Sequence, residues 1–310
     1  MSPHLAAPRV AVHGDVLDFM TQALQAGGAE LVGLDESPQI LALDHGNDAT
    51  QLVDILDKTP SIEWVQLPSA GIDKYLDALA AYPDKIWTSA KGAYAEPVAE
   101  HALMLTLGVA RLIRQRAQAT SWQEMGGISL FDAHAVVVGA GGVGLEIVRL
   151  LKAFRCSVDV VRRTDAPAPG ADRTFSAEHL DELLPQADVV VLAAALTGQT
   201  THLIGEAQLA SMKQDAILVN IARGPMVDCE ALAASLKSGH LYGAGLDVTE
   251  PEPLTEGHPL WEEPRCLITP HTADTLPMIR ALLGQRFAAN LSHWRADEDL
   301  DGVVDPVQGY

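Results

Sequence analysis

Short apolar runs alternate with amphipathic stretches along nearly the whole chain, the pattern of a parallel sheet covered by helices. In the first third, Arg9–His13, Glu30–Leu34, Ile40–Leu43, Glu63–Leu67 and Ile86–Thr88 read as strands, with helices over Asp15–Ala26 and Asp48–Lys58. A long helix is expected from Val98 to Ala119, apolar at Val98, Leu103, Leu107, Ala110 and Ile113. A second series of strands follows: Ala135–Val138, Val158–Val161, Val189–Leu192, Ile217–Val219, Gly243–Asp247 and Cys266–Thr269. Ala166–Gly170 reads as a loop, and the chain closes on a helix near Met278–Trp294 and an acidic tail, Asp297–Asp305. The economical reading is two doubly wound α/β units joined by the Val98 helix.

A length of 310 residues suits two such units, and 48% hydrophobic residues exclude disorder. The net charge of −20 repels phosphate backbones and anionic lipids, so nucleic acid and membrane surfaces are not expected partners. Three unevenly spaced cysteines without a CxxC pair suit reduced thiols. Met1-Ser2-Pro3-His4 begins no secretory signal pattern, and no apolar run reaches the roughly 18 residues of a membrane span. A cytoplasmic location is expected. No His, Cys or Asp cluster has zinc spacing, so no metal is expected.

One motif carries specific chemistry. The apolar run His134–Val138 leads into Gly139-Ala140-Gly141-Gly142-Val143-Gly144, then helical residues to Phe154, then Val158–Val161. A GxGxxG turn between strand and helix lets the backbone approach a pyrophosphate at a helix N-terminus, so the turn predicts a dinucleotide site. The end of the next strand sets the choice of cofactor. Asp159 lies 20 residues after Gly139 and is a candidate ribose ligand, although it falls inside the strand run. The strand tip is Arg162-Arg163-Thr164, two guanidiniums and a hydroxyl that suit a 2′-phosphate. NADP(H) is the expected cofactor, with NAD(H) possible.

Three later segments each follow a strand, where doubly wound sheets place ligands. They are Asn220-Ile221-Ala222-Arg223-Gly224, Leu246-Asp247-Val248-Thr249-Glu250-Pro251-Glu252-Pro253 and Thr269-Pro270-His271-Thr272. Together with the glycine turn, Ser69-Ala70-Gly71-Ile72-Asp73 and Val98-Ala99-Glu100-His101, their order and spacing resemble the D-isomer-specific 2-hydroxyacid dehydrogenase family, on its glyoxylate/hydroxypyruvate reductase-like branch. The match extends over nearly the whole chain.

The resemblance implies a flavodoxin-like substrate domain, residues 1–97 completed by 277–310, and a dinucleotide-binding domain, 98–276, with the cleft between them. It implies reduction of small 2-keto acids to (R)-2-hydroxy acids. Arg223 would bind the substrate's carboxylate and carbonyl oxygens through parallel hydrogen bonds, and His271 would protonate the carbonyl oxygen. A carboxylate beside His271 would orient its ring and favour its charged form. Glu250 and Glu252 are both candidates, and the family's pattern, a Glu before Pro five residues after the Asp, selects Glu252. By the same resemblance Asp247 faces the nicotinamide carboxamide, Ala194 and Thr200 the cofactor's outer edge, and Ile221 and Ala222 join the cofactor set. Backbone N–H groups of Ser69, Ala70 and Gly71 would hold the substrate carboxylate, and the region after Val98 would build a homodimer.

Other histidines point to less. His101 is expected to make a structural contact between the domains, and His202, His240 and His258 to lie on the surface. His13 and His45 end first-domain strands. Phosphite or formate oxidation and a non-catalytic dinucleotide-sensing scaffold are the rival readings. Formate chemistry fits less well because that branch carries Gln where this chain has Glu252.

Overall fold

The computed structural model describes residues 6–15, 18–44 and 46–305, so His45 and the Met1-Ser2-Pro3-His4 segment lie outside the described residues. In chain order the first elements are β1 (Arg9–His13), α1 (Asp18–Ala26), β2 (Glu30–Leu31), β3 (Ile40–Leu43), α2 (Leu52–Lys58), β4 (Trp64–Gln66), α3 (Leu76–Ala81) and β5 (Ile86–Thr88). After them come α4 (Ala95–Ala110), α5 (Ile113–Gln118), β6 (His134–Val138), α6 (Gly142–Ala153), β7 (Ser157–Arg162), β8 (Arg173–Ser176), α7 (Leu180–Leu183) and β9 (Val189–Leu192). The last are α8 (Glu206–Ser211), β10 (Ile217–Asn220), α9 (Cys229–Ser238), β11 (Gly243–Leu246), α10 (Pro259–Glu262), β12 (Cys266–Ile268) and α11 (Leu276–Ala296).

These elements form two units. The first comprises Met1–Tyr94 and Thr275–Tyr310, the second Ala95–Asp274. The first holds a five-stranded parallel sheet in the order β2-β1-β3-β4-β5, a doubly wound flavodoxin-like order. Helix α11 returns to pack on α1, and Trp294 near its end stacks on Trp64 with ring centroids 5.5 Å apart. A buried polar relay ties this return to the sheet. Trp64 Nε1 donates to Thr88 Oγ1 at 2.7 Å, Thr88 donates to Gln66 Oε1 at 2.8 Å, and Asn290 Nδ2 donates to the same oxygen at 3.0 Å.

The second unit holds seven parallel strands in the order β12-β11-β10-β9-β6-β7-β8. Its central strands, such as Val189–Leu192 and Ile217–Asn220, are buried at every position, which is why they read as unbroken apolar runs. The strand order reverses between β6 and β9, the switch point where such sheets bind dinucleotides.

The structure departs from the expected elements in three places. The long helix breaks at Leu112, which takes a left-handed backbone with φ +54°. Ile113, which extended the apolar pattern, is half exposed, so no core behind it holds the helix straight. The second strand ends at Leu31, where Gly33 N–H donates to Glu36 Oε2 at 2.7 Å and starts a helical turn instead. Strand β8 was not expected, because Arg-Thr-Phe-Ser is a partly exposed edge strand with a single large apolar residue.

Candidate active site

Three loops leave the second sheet side by side. Asn220, Leu246 and Ile268, the last residues of β10, β11 and β12, are paired across the ladder. Adjacent strands lie about 4.8 Å apart, so the segments that begin at Ile221, Asp247 and Thr269 start in a row about 10 Å long. The first is shaped by Asn220, which is fully buried: its Nδ2 donates to Arg223 O at 2.9 Å and its Oδ1 accepts from Ala222 N–H at 3.0 Å. Arg223 is half-buried, with Nη1 donating to Ala222 O at 2.7 Å. The next residue must be glycine, because a Cβ on Gly224 would sit 1.8 Å from the Thr249 carbonyl oxygen. That close approach sets the Arg223 loop against the loop that carries Glu250 and Glu252.

The two glutamates have separate partners. Glu252 Oε1 accepts from His271 Nδ1 at 2.6 Å, while Glu250 Oε2 lies 2.7 Å from His202 Nε2. Nδ1 of His271 is thus committed to Glu252, leaving Nε2 for proton exchange. The His271 and Glu252 side chains are 45% and 43% exposed, so a small solute can reach them. His271 also holds a left-handed backbone, φ +51°, which costs a non-glycine residue about 1–2 kcal/mol.

Asp247 fixes that turn. Its Oδ1 accepts from Thr269 Oγ1 at 2.5 Å and Thr272 N–H at 3.0 Å, and its Oδ2 accepts from Ala273 N–H at 3.1 Å. His271 N–H donates to the Asp247 backbone carbonyl at 2.9 Å. Burial alone would raise the pKa of this carboxyl. Hydrogen bonds from His101, Thr269 and Thr272 outweigh burial and hold it at about 2. The carboxylate expected to face a nicotinamide carboxamide is therefore wrapped by the loop that presents His271.

The glycine turn sits between β6 and α6. Gly139 has φ +115°, and a Cβ there would lie 2.5 Å from Ala193 O, while a Cβ on Gly144 would lie 2.2 Å from Gly139 O. Gly141 differs: a Cβ there would meet nothing within 4 Å, so open space lies above the helix N-terminus that Gly142 and Val143 begin. Beside it, the loop after Ala194 is closed by Thr200, whose Oγ1 accepts from Thr197 N–H at 2.7 Å and donates to Ala195 O at 2.9 Å.

Of the two ribose-end candidates, the structure removes Asp159. It is 2% exposed and accepts two hydrogen bonds from Arg173, at 2.9 and 2.6 Å, with His134 Nε2 at 2.9 Å. It also lies three residues, about 10 Å, short of the carboxyl tip of β7. At the tip, Arg162 Nη1 donates to Ala166 O at 3.3 Å, and Arg163 and Thr164 are exposed.

The remaining residues sort as follows. In the first unit Ser69 donates to Gly71 O at 2.6 Å and accepts from Ala90 N–H at its own carbonyl, closing the turn after β4. His101 makes its contacts within the second unit, on Thr269 and Asp247. His258 is buried rather than on the surface, its Nδ1 accepting from Leu260 N–H at 3.2 Å to cap α10. Asn220 was missed as a shaping residue; its sequence signal was a polar side chain ending an otherwise apolar strand. Among the described residues no group of His, Cys, Asp or Glu is placed to hold a metal, and no helix is long and apolar enough to cross a membrane. All three cysteines are buried, and burial pushes Cys266 up to about 12.

The lowered pKa of Asp247 is a stability statement. Its carboxylate stabilises the fold above the ordinary value of 3.8, and that stability is lost as pH falls through about 2. Asp247→Asn is expected to lower stability at pH 7 by about 2 kcal/mol and to flatten the loss of stability between pH 4 and 2. Urea midpoints of both proteins across that range check this.

Comparison with known proteins gives the family. Residues 101–273 match the family model described as D-isomer specific 2-hydroxyacid dehydrogenase, NAD binding domain. The chain is 33% identical to a glyoxylate reductase of Thermofilum pendens, over 77% of this chain and 73% of that one. It is 34% identical to glyoxylate/hydroxypyruvate reductase B of Yersinia pestis, over 76% of this chain and 77% of that one. A crystal structure of a D-isomer specific 2-hydroxyacid dehydrogenase from Xanthobacter autotrophicus, in complex with NADPH and MES, superposes with a TM-score of 0.84 at 27% identity, covering 98% of this chain and all of that one. Matching over more than half its length, with these relatives beside it, the chain belongs to the D-isomer specific 2-hydroxyacid dehydrogenase family.

Proposed function

We propose that this protein reduces small 2-keto acids to (R)-2-hydroxy acids, with NADPH preferred over NADH. The observation that carries the reading is the His271–Glu252 pair at 2.6 Å, in a row of loops with Arg223. The relatives named glyoxylate and glyoxylate/hydroxypyruvate reductases support the substrate class.

The turn at the start of α6 fits a dinucleotide: its helix N–H groups face the open space beside Gly141, where a pyrophosphate would be held. Gly139, Gly142, Val143 and Gly144 build that turn, and Ala194, Thr200, Ile221 and Ala222 would line the remainder of the cofactor. Arg162, Arg163 and Thr164 would take a 2′-phosphate, and with Asp159 committed to Arg173 and His134 no carboxylate of β7 reaches the strand tip. When bound, the nicotinamide supplies the hydride.

The protein's own residues do the rest. Arg223 anchors the substrate carboxylate and polarises the keto group by paired hydrogen bonds. His271 delivers the Nε2 proton to the oxygen on which charge develops, and accepts it back in the reverse direction. Glu252 keeps the ring oriented and balances its charge.

A spectrophotometric panel of glyoxylate, hydroxypyruvate, pyruvate and 2-ketoisocaproate, run with NADPH and with NADH, tests this. Turnover is expected with NADPH favoured, and Arg162→Ser/Arg163→Ser is expected to reverse that preference. His271→Ala is expected to lose about 10²–10⁴-fold in kcat. A wild-type preference for NADH, or full activity in His271→Ala, would contradict the reading.

The same proposal includes a homodimer built by the region after Val98. Trp122 and Met125 there are fully exposed, and Met104, Ile113, Ile128 and Phe131 are about half or more than a third exposed, an apolar surface that favours association with a second copy. Light scattering is expected to give twice the chain mass, and Trp122→Ser/Met125→Ser to weaken the dimer.

A further inference from the structure

We infer that His101 is a positioning residue for His271, acting from helix α4 through Thr269 and Asp247. The inference rests on the proposed role of His271 as proton donor.

His101 lies on a helix that packs against β10, β11 and β12, and its side chain is 15% exposed. Its Nε2 is 2.8 Å from Thr269 Oγ1 and 3.2 Å from Asp247 Oδ1. The Thr269 hydroxyl has one proton, and it goes to Asp247 at 2.5 Å. The Thr269 oxygen is therefore an acceptor toward His101, and Nε2 of His101 must carry a hydrogen. The donor serves both atoms at the root of the turn that presents His271.

That turn needs such a lock. His271 sits in a left-handed backbone that only a surrounding network can maintain in a non-glycine residue. Asp247 supplies the network through Thr272 N–H, Ala273 N–H and its own backbone carbonyl. His101 holds the Asp247 carboxylate and the Thr269 hydroxyl from helix α4, where its low exposure leaves little water to replace it. Without that donor, Thr269 can rotate away and Asp247 loses one of its partners. The turn then relaxes, and the His271 ring drifts from Glu252. A ring displaced by about 1 Å can cost about 10²-fold in rate, with little effect on cofactor binding at the glycine turn.

The test compares His101→Phe, which keeps a ring but removes the donor, with His101→Gln, which returns an N–H at similar reach. His101→Phe is expected to lower kcat for glyoxylate about 10–100-fold, with KM and the NADPH Kd changed by no more than about 2-fold. His101→Gln is expected to recover most of the rate. In protein without ligands, ¹⁵N–¹H spectra of the His271 ring are expected to show the Nδ1–H bond to Glu252 in the wild type and its loss in His101→Phe. Thr269→Val breaks the same relay from the loop side and is expected to give the same pattern if His101→Phe does not fold.

A normal kcat with an unchanged His271 spectrum in the folded variant would overturn the inference. A parallel loss of kcat and NADPH affinity, unrescued by Gln, would assign His101 a general structural role and overturn it as well. Absence of keto-acid turnover in the wild type would remove the functional reading, while the His271 spectra would still decide the positioning role.

Discussion

The buried carboxylate of Asp247 is the constraint on which the reactive edge of the second unit depends. Parallel strands deliver the loops after β10, β11 and β12 side by side, but a shared sheet edge does not by itself aim side chains. Asp247 does this by accepting from Thr269, Thr272 and Ala273 at once, so that the turn carrying His271 is wound around one charge. Bare burial would make that charge costly, and several donors converging on it reverse the balance. The Gly224 backbone completes the arrangement from the other side, since any side chain there would push the Arg223 loop off Thr249.

The distribution of charge follows the same economy. A chain with net charge −20 has carboxylates to spare, yet several near the candidate site are held by nitrogen partners. Glu252 meets His271, Glu250 meets His202, and Asp159 meets Arg173 and His134. The pairing at Asp159 leaves the tip of β7 to Arg162, Arg163 and Thr164. The proposed preference for a phosphorylated dinucleotide rests on these two guanidiniums and the Thr164 hydroxyl taking its 2′-phosphate.

Much of the fold was legible in the chain because buried parallel strands leave unbroken runs such as Val189–Leu192, and because a glycine turn between strand and helix has few other uses. Strand β8 and the break at Leu112 were not legible. Edge strands bury too little to show an apolar pattern, and an exposed Ile113 mimics a core position. At the site, the reactive residue types were legible and the resemblance selected Glu252 as the partner of His271, while the partners of His101 and Asp159 were not legible. Whether Glu250 or Glu252 faces His271 depends on the path of one loop, and both precede a proline. The contact of His101 with Thr269 spans 168 residues and comes only from packing α4 under the sheet. The fate of Asp159 required the register of β7 against both β6 and the unforeseen β8.

The proposed chemistry gives the support of the His271 ring to one carboxylate of two that stand on the same loop. The kcat for glyoxylate reduction in Glu252→Gln, measured beside that of Glu250→Gln, tests this most directly. The account predicts a loss of about 10²-fold or more in Glu252→Gln and a rate within a few-fold of wild type in Glu250→Gln. Equal rates in the two variants, or the larger loss in Glu250→Gln, would contradict it.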